Sequence, residues 1–190
     1  LTKKDKIIQI LKKIKPNVII HLGAITDVEL CESQKKMATI VNTKATEILA
    51  LESEKYGAFF VYLSTDYVFD GKKGLKNEND IPNPINFYGK SKLQGEIVLN
   101  KISSQYIIIR TSTPFGIHPR KKSFPIWIKE NLELKNKIPV LIDQYTSPSY
   151  VPNLSKMILE IISKKITGII HLAEDTRISR FEFAKIIANK

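Results

Sequence analysis

Short apolar runs and longer amphipathic segments alternate along this chain almost without interruption, and that alternation limits the folds open to it. The apolar runs fall at residues 17–22, 58–63, 106–110, 138–142 and 168–172, lengths that suit buried strands better than helices. Between them, apolar side chains recur at helical spacing over residues 5–14, 33–56, 87–101, 124–135 and 153–163, and a further helix starts from Ser179. Gly57 is placed to close the long helix at 33–56, and Ser179 with Glu182 three residues on forms a capping-box pattern. Strands separated by helices pair in parallel through right-handed crossovers. The expected fold is therefore α/β, a doubly wound parallel sheet. At 190 residues the chain can bury one good core of this kind.

The formal net charge of +11 raises the question of nucleic acid. A dedicated binder gathers its charge on one face or interleaves it with stacking aromatics. Here the lysines are scattered over nearly every expected helix, and clusters such as Arg120-Lys121-Lys122 are short. That is the pattern of solvated helix faces, so no nucleic-acid partner is expected. The same positive field suits a phosphorylated ligand. No apolar run reaches the length needed to cross a bilayer, and no signal-peptide core follows Leu1. Cys31 is the only cysteine, which leaves no intrachain disulfide and makes a cytoplasmic protein the default. His21, His118 and His171 have no metal-ligand spacing, and no metal site is expected.

The chemistry concentrates at Tyr88-Gly-Lys-Ser-Lys92. Pro82 and Pro84 disfavour helix before Ile85, so the helix should open at Phe87 or Tyr88 and carry the tyrosine in its first turn. A tyrosine and a lysine four apart share a helix face. There an ammonium group can depress the phenol's pKa and ready it for proton transfer. The preceding strand-like run leads into Ser64-Thr65, either of which offers a hydroxyl to hold a carbonyl oxygen beside that phenol. The bare spacing is equally what an ordinary helix with a half-buried tyrosine would show.

Two longer stretches decide the matter: Ser64-Thr-Asp-Tyr-Val-Phe-Asp-Gly71, and Pro82-Asn-Pro-Ile-Asn-Phe-Tyr-Gly-Lys-Ser-Lys-Leu-Gln-Gly-Glu96. With residues 16–28, Val41-Asn42, Arg110-Thr111-Ser112, residues 143–148 and residues 168–173, they resemble the extended short-chain dehydrogenase/reductases, most of all their dTDP-4-dehydrorhamnose reductase branch. The resemblance implies a Rossmann fold, NADPH or NADH as cofactor, and reduction of a nucleotide-linked 4-keto-6-deoxysugar. Relatives with the same Tyr-x-x-x-Lys are epimerases or dehydratases, and one serves a methionine adenosyltransferase as a non-catalytic subunit. A homodimer is left open.

By the same resemblance Tyr88 is the catalytic acid, Lys92 binds the nicotinamide-ribose hydroxyls, and Thr65 hydrogen-bonds the substrate carbonyl. Ala24, Ile25 and Thr26 run beside the cofactor; Asp66 and Tyr67 line the sugar pocket, although Tyr67 suits core packing as well. Thr113 stands where many bacterial members place a tryptophan against the substrate, and Arg110, Thr111 and Ser112 border the nicotinamide. Asn42 falls inside the long helix, where asparagine is disfavoured, and has either a buried hydrogen-bonding role or a solvent-facing one. The family's glycine-rich strand-turn-helix has no counterpart here, so the chain is expected to be a fragment of a longer Rossmann protein. Residues 1–112 would then hold the later part of the dinucleotide-binding domain and the catalytic motif. Residues 113–190 would add substrate-binding elements and further strands.

Overall fold

A computed structural model describes residues 1–118 and 122–189; Arg120 and Lys121 of the basic cluster lie outside them. The chain opens with helix α1 (Lys4–Ile14) and strand β1 (Val18–His21). Two short helices, α2 (Val28–Ser33) and α3 (Lys35–Ala38), lead through a π-helical turn at Thr39–Lys44 into α4 (Ala45–Lys55). Strand β2 (Phe59–Thr65), a 3-10 turn at Asp66–Val68, helix α5 (Phe87–Ile102) and strand β3 (Tyr106–Thr111) follow. Then come β4 (Pro114–Phe115), α6 (Phe124–Glu133), β5 (Tyr145–Thr146), β6 (Ser149–Tyr150), α7 (Val151–Ser163), β7 (Gly168–His171), β8 (Ile178–Ser179) and α8 (Arg180–Ala188).

The chain divides into two compact units. The first holds residues 1–110 and 162–171 and contains a four-stranded sheet in the order β1-β2-β3-β7. β1 runs parallel to β2, with Val18 opposite Phe59, and β3 runs parallel to β7, with Ile107 opposite Gly168. The two interior strands are buried on both faces, which is why Phe59-Phe60-Val61 and Ile107-Ile108-Ile109 read as continuous apolar runs. Phe60, Tyr62 and Ile108 form the core with Leu11 of α1, Leu49 and Ala50 of α4, and Leu99 of α5. This is the parallel α/β architecture that the alternation called for, with the Rossmann-type sheet that the resemblance implied.

The second unit holds residues 111–161 and 172–189. Its strands form two small sheets, β4 parallel to β6 and β5 antiparallel to β8. Phe183 of α8 packs between Phe115 and Phe124. The capping box at Ser179 and Glu182 is present in full.

Two expectations are corrected. The long helix over 33–56 is interrupted: Gln34 leaves helical geometry, and the chain widens into a π turn at Thr39–Lys44. The wide turn lets neighbouring Asn42 and Thr43 both face α5, where Asn42 binds the Ser91 hydroxyl and Thr43 the Ser91 carbonyl. Residues 138–142 form no strand; Leu141 and Ile142 are exposed, and Pro139 brings no N–H to a ladder.

Candidate active site

Helix α5 begins where the two prolines allow it. Asn86 caps it, its side chain accepting the Gly89 N–H at 2.8 Å. Tyr88 therefore occupies the first turn, with Lys92 and Glu96 one and two turns further along the same buried face. That stripe lies along the carboxyl end of β2. The Thr65 hydroxyl lies beside the Tyr88 phenol and acts on its pKa. Lys92 Nζ donates to the Leu63 carbonyl at 2.7 Å and sits 4.0 Å from the centre of the Tyr62 ring. Glu96 accepts from the Ser64 hydroxyl. Of the two hydroxyls offered by the sequence, Thr65 reaches the phenol and Ser64 turns to the carboxylate.

Thr65 also anchors the turn that follows it, accepting the Tyr67 N–H at 3.2 Å and donating to Asp66 Oδ1 at 3.1 Å. The Tyr67 ring packs edge-on to Tyr88 with centroids 5.6 Å apart, so this residue packs against the candidate acid while remaining half-exposed. The first turn of α5 comes so close to the Tyr67 carbonyl that a Cβ at Gly89 would lie 2.1 Å from that oxygen.

The electrostatics differ from the sequence expectation. Burial pushes the Tyr88 phenol up to about 12; the neighbouring Thr65 hydroxyl opposes this, and Asp66 adds to it. Lys92 does not pull it down, because the amine is directed at the Leu63 carbonyl. Burial also lowers Lys92 to about 7, against the opposing effect of Glu96. His21 is held neutral by burial and by the Lys92 charge, its pKa lowered to about 4, and its ring binds the Thr46 hydroxyl at 3.1 Å.

Ala24, Ile25 and Thr26 lie in the loop between β1 and α2, at the carboxyl end of β1. Asn42 fixes this loop. Its amide oxygen accepts the Ile25 N–H at 2.8 Å and its amide nitrogen donates to the Ile25 carbonyl at 3.0 Å. The residue is fully buried, so of its two readings the hydrogen-bonding one holds. Loop, β2 terminus and α5 thus meet at the carboxyl ends of parallel strands, where open α/β sheets take their ligands.

Thr113 belongs to the second unit, with a positive φ of 41° unusual for a β-branched residue. Its hydroxyl bonds that of Thr146, which also bonds Ser112 at 2.9 Å. Arg110 turns inward to Glu96, donating from Nη2 at 2.7 Å and from Nε at 3.1 Å. Glu96 and this pairing were missed in the sequence, although the 88-92-96 spacing carried the signal. Among the described residues, no group of three or more His, Cys, Asp or Glu side chains could hold a metal, and no helix is long and apolar enough to cross a membrane.

The RmlD substrate binding domain family matches residues 1–190. The chain is 35% identical to a dTDP-4-dehydrorhamnose reductase of Aggregatibacter actinomycetemcomitans over 97% of its own length and 64% of the relative's. It is 30% identical to the methionine adenosyltransferase 2 subunit beta of Xenopus tropicalis over 95% of its length and 56% of that protein. It thus spans a little under two thirds of the first of these relatives and just over half of the second. The crystal structure of dTDP-4-dehydrorhamnose reductase from Bacillus anthracis in complex with NADP superposes with a TM-score of 0.95 at 34% identity, over 99% of this chain and 67% of that one. Matched from end to end, with the Tyr88 and Lys92 face built into the sheet terminus, the chain belongs to the RmlD substrate binding domain family.

Proposed function

We propose that this chain serves NAD(P)H-dependent reduction of a nucleotide-linked 4-keto-6-deoxysugar, dTDP-4-dehydrorhamnose to dTDP-rhamnose. The observation that carries the reading is the placement of the Thr65 hydroxyl beside the buried Tyr88 phenol, with Lys92 one turn on. A phenol lifted to about 12 stays protonated at neutral pH and enters the reaction as an acid. Thr65 holds the sugar carbonyl oxygen beside it, and Tyr88 delivers its proton there. Asp66 and Tyr67 border the sugar. The donor set at the strand ends fits the ribose end of a nicotinamide cofactor: a buried ammonium on Lys92, and the Ala24-Ile25-Thr26 backbone braced by Asn42. The cofactor supplies the hydride. Lys92 would bind its ribose hydroxyls. The lone buried Cys31 suits a cytoplasmic setting.

Incubation of the full-length protein with dTDP-4-dehydrorhamnose and NADPH tests this directly. One NADPH oxidised per dTDP-rhamnose formed is expected, whereas an epimerase would leave the cofactor unconsumed. The similarity to a methionine adenosyltransferase subunit supports a second, non-catalytic reading. Copurification of such an enzyme without sugar turnover would favour it.

A further inference from the structure

Behind the candidate acid lies a buried polar cluster that the chemistry above does not use. Glu96 and Arg110 are 3% and 5% exposed and paired through Arg110 Nε and Nη2. A fully buried ion pair is expensive to desolvate and contributes little net stability against an apolar replacement. This one is tied to specific neighbours: Glu96 also takes the Ser64 hydroxyl, and the guanidinium lies 5.3 Å from the Phe69 ring centre. Ser64 is the residue before Thr65, and Leu63, which takes the Lys92 amine, is the residue before that. Two consecutive turns of α5 thus grip Leu63 and Ser64 of β2, with Tyr88 beside Thr65.

We propose that Glu96, anchored by Arg110, is the positioning residue of this site: it fixes Ser64, and through it Thr65, and supplies the fixed negative charge against which Lys92 is held. The role rests on the reductase reading only for its effect on turnover. The groups facing Lys92 are Tyr88 and Glu96 from its own helix, Tyr62 from β2, and His21 from β1; Arg110 on β3 acts through Glu96. The π turn presents the neutral Asn42 carbonyl, bound by the Tyr62 hydroxyl. Glu96 is the only one of these that raises the Lys92 pKa, so its loss leaves burial unopposed and the amine sheds its proton at lower pH.

The test is Glu96→Gln in the full-length protein, with Lys92 titrated by carbon-13 NMR of labelled lysines and assigned through Lys92→Arg. The Lys92 midpoint should fall by about half a pH unit or more. In the turnover assay the alkaline limb of kcat should move to lower pH with KM for the sugar nucleotide little changed. A midpoint lowered by about one unit means about a fivefold loss of rate at pH 7, recovered on acidification. Glu96→Asp should restore part of it. Because Glu96→Gln strands a buried guanidinium, the double variant Glu96→Gln with Arg110→Gln provides a folded alternative, and its Lys92 midpoint should also fall. An unchanged midpoint in whichever variant folds overturns the proposal. A lowered midpoint in a protein that reduces no sugar overturns the reductase reading and leaves the positioning role standing.

Discussion

Tyr88 and Lys92 sit one helical turn apart, yet burial moves both away from their ordinary behaviour: the phenol is held as an acid and the amine gives up part of its charge near neutrality. Tyr88→Phe removes the proton and keeps the ring that packs on Tyr67, so substrate affinity should change little. Single-turnover reduction should fall about a hundredfold or more, the scale of a lost positioned acid. A rate near that of the unsubstituted protein would mean the proton comes from elsewhere. His21 supports a separate expectation. Its pKa is about 4 in the folded protein and 6.5 in the unfolded chain, so between those values the unfolded chain binds a proton that the folded one refuses. Its contribution to stability is intact above pH 6.5 and is lost as pH falls through 4. His21→Gln, which keeps a donor for Thr46, should flatten the loss of denaturant midpoint between pH 6.5 and 4. An unaltered slope would place the acid sensitivity on other groups.

Helix α5 is the element on which the candidate site depends, and its placement is close to the steric limit. The Cβ of Gly89→Ala would overlap the Tyr67 carbonyl, a backbone atom that cannot swing aside. The strain, about 1–3 kcal/mol, should outweigh the roughly 1 kcal/mol of helix propensity that alanine brings. Lys90→Ala, on the exposed side of the same turn, should stay within about 0.5 kcal/mol, and urea denaturation compares the two. The start of this helix was legible in the sequence because prolines and an Asn cap act locally, and they put Tyr88 and Lys92 in place without help from the rest of the fold. The π turn was not legible. It exists because Asn42 and Thr43 bind partners 17 and 48 residues away, which no local pattern records. Residues 138–142 have the composition of a strand but no neighbour to pair with, and propensity alone could not reveal that. The Glu96–Arg110 pair joins a helix to a strand and becomes visible only once both are placed.

For the molecule as a whole, burial is distributed unevenly, and this sets the order in which its parts should open. In the sheet order β1-β2-β3-β7 the inner strands are shielded on both faces, while β1 leaves Ile20 43% exposed and every residue of β7 is half-buried. The segment from 70 to 86 carries no helix or strand and exposes Leu75 and Ile81 almost fully. Local opening is easiest where few apolar contacts hold a backbone hydrogen bond, and hardest where opening exposes the core. Hydrogen exchange on the chain at neutral pH should therefore find the slowest amides in β2 and β3, and in the buried face of α5 from Tyr88 to Glu96. Those of β1 and β7 should exchange faster, and those of residues 70–86 fastest. The grip of α5 on Leu63 and Ser64, with Tyr88 beside Thr65, adds a sharper expectation. Protection should extend to the last residues of β2, which strand ends ordinarily lose by fraying. Fast exchange at Ser64 and Thr65, with slow exchange in the middle of β2, would show that the buried cluster does not restrain the strand end.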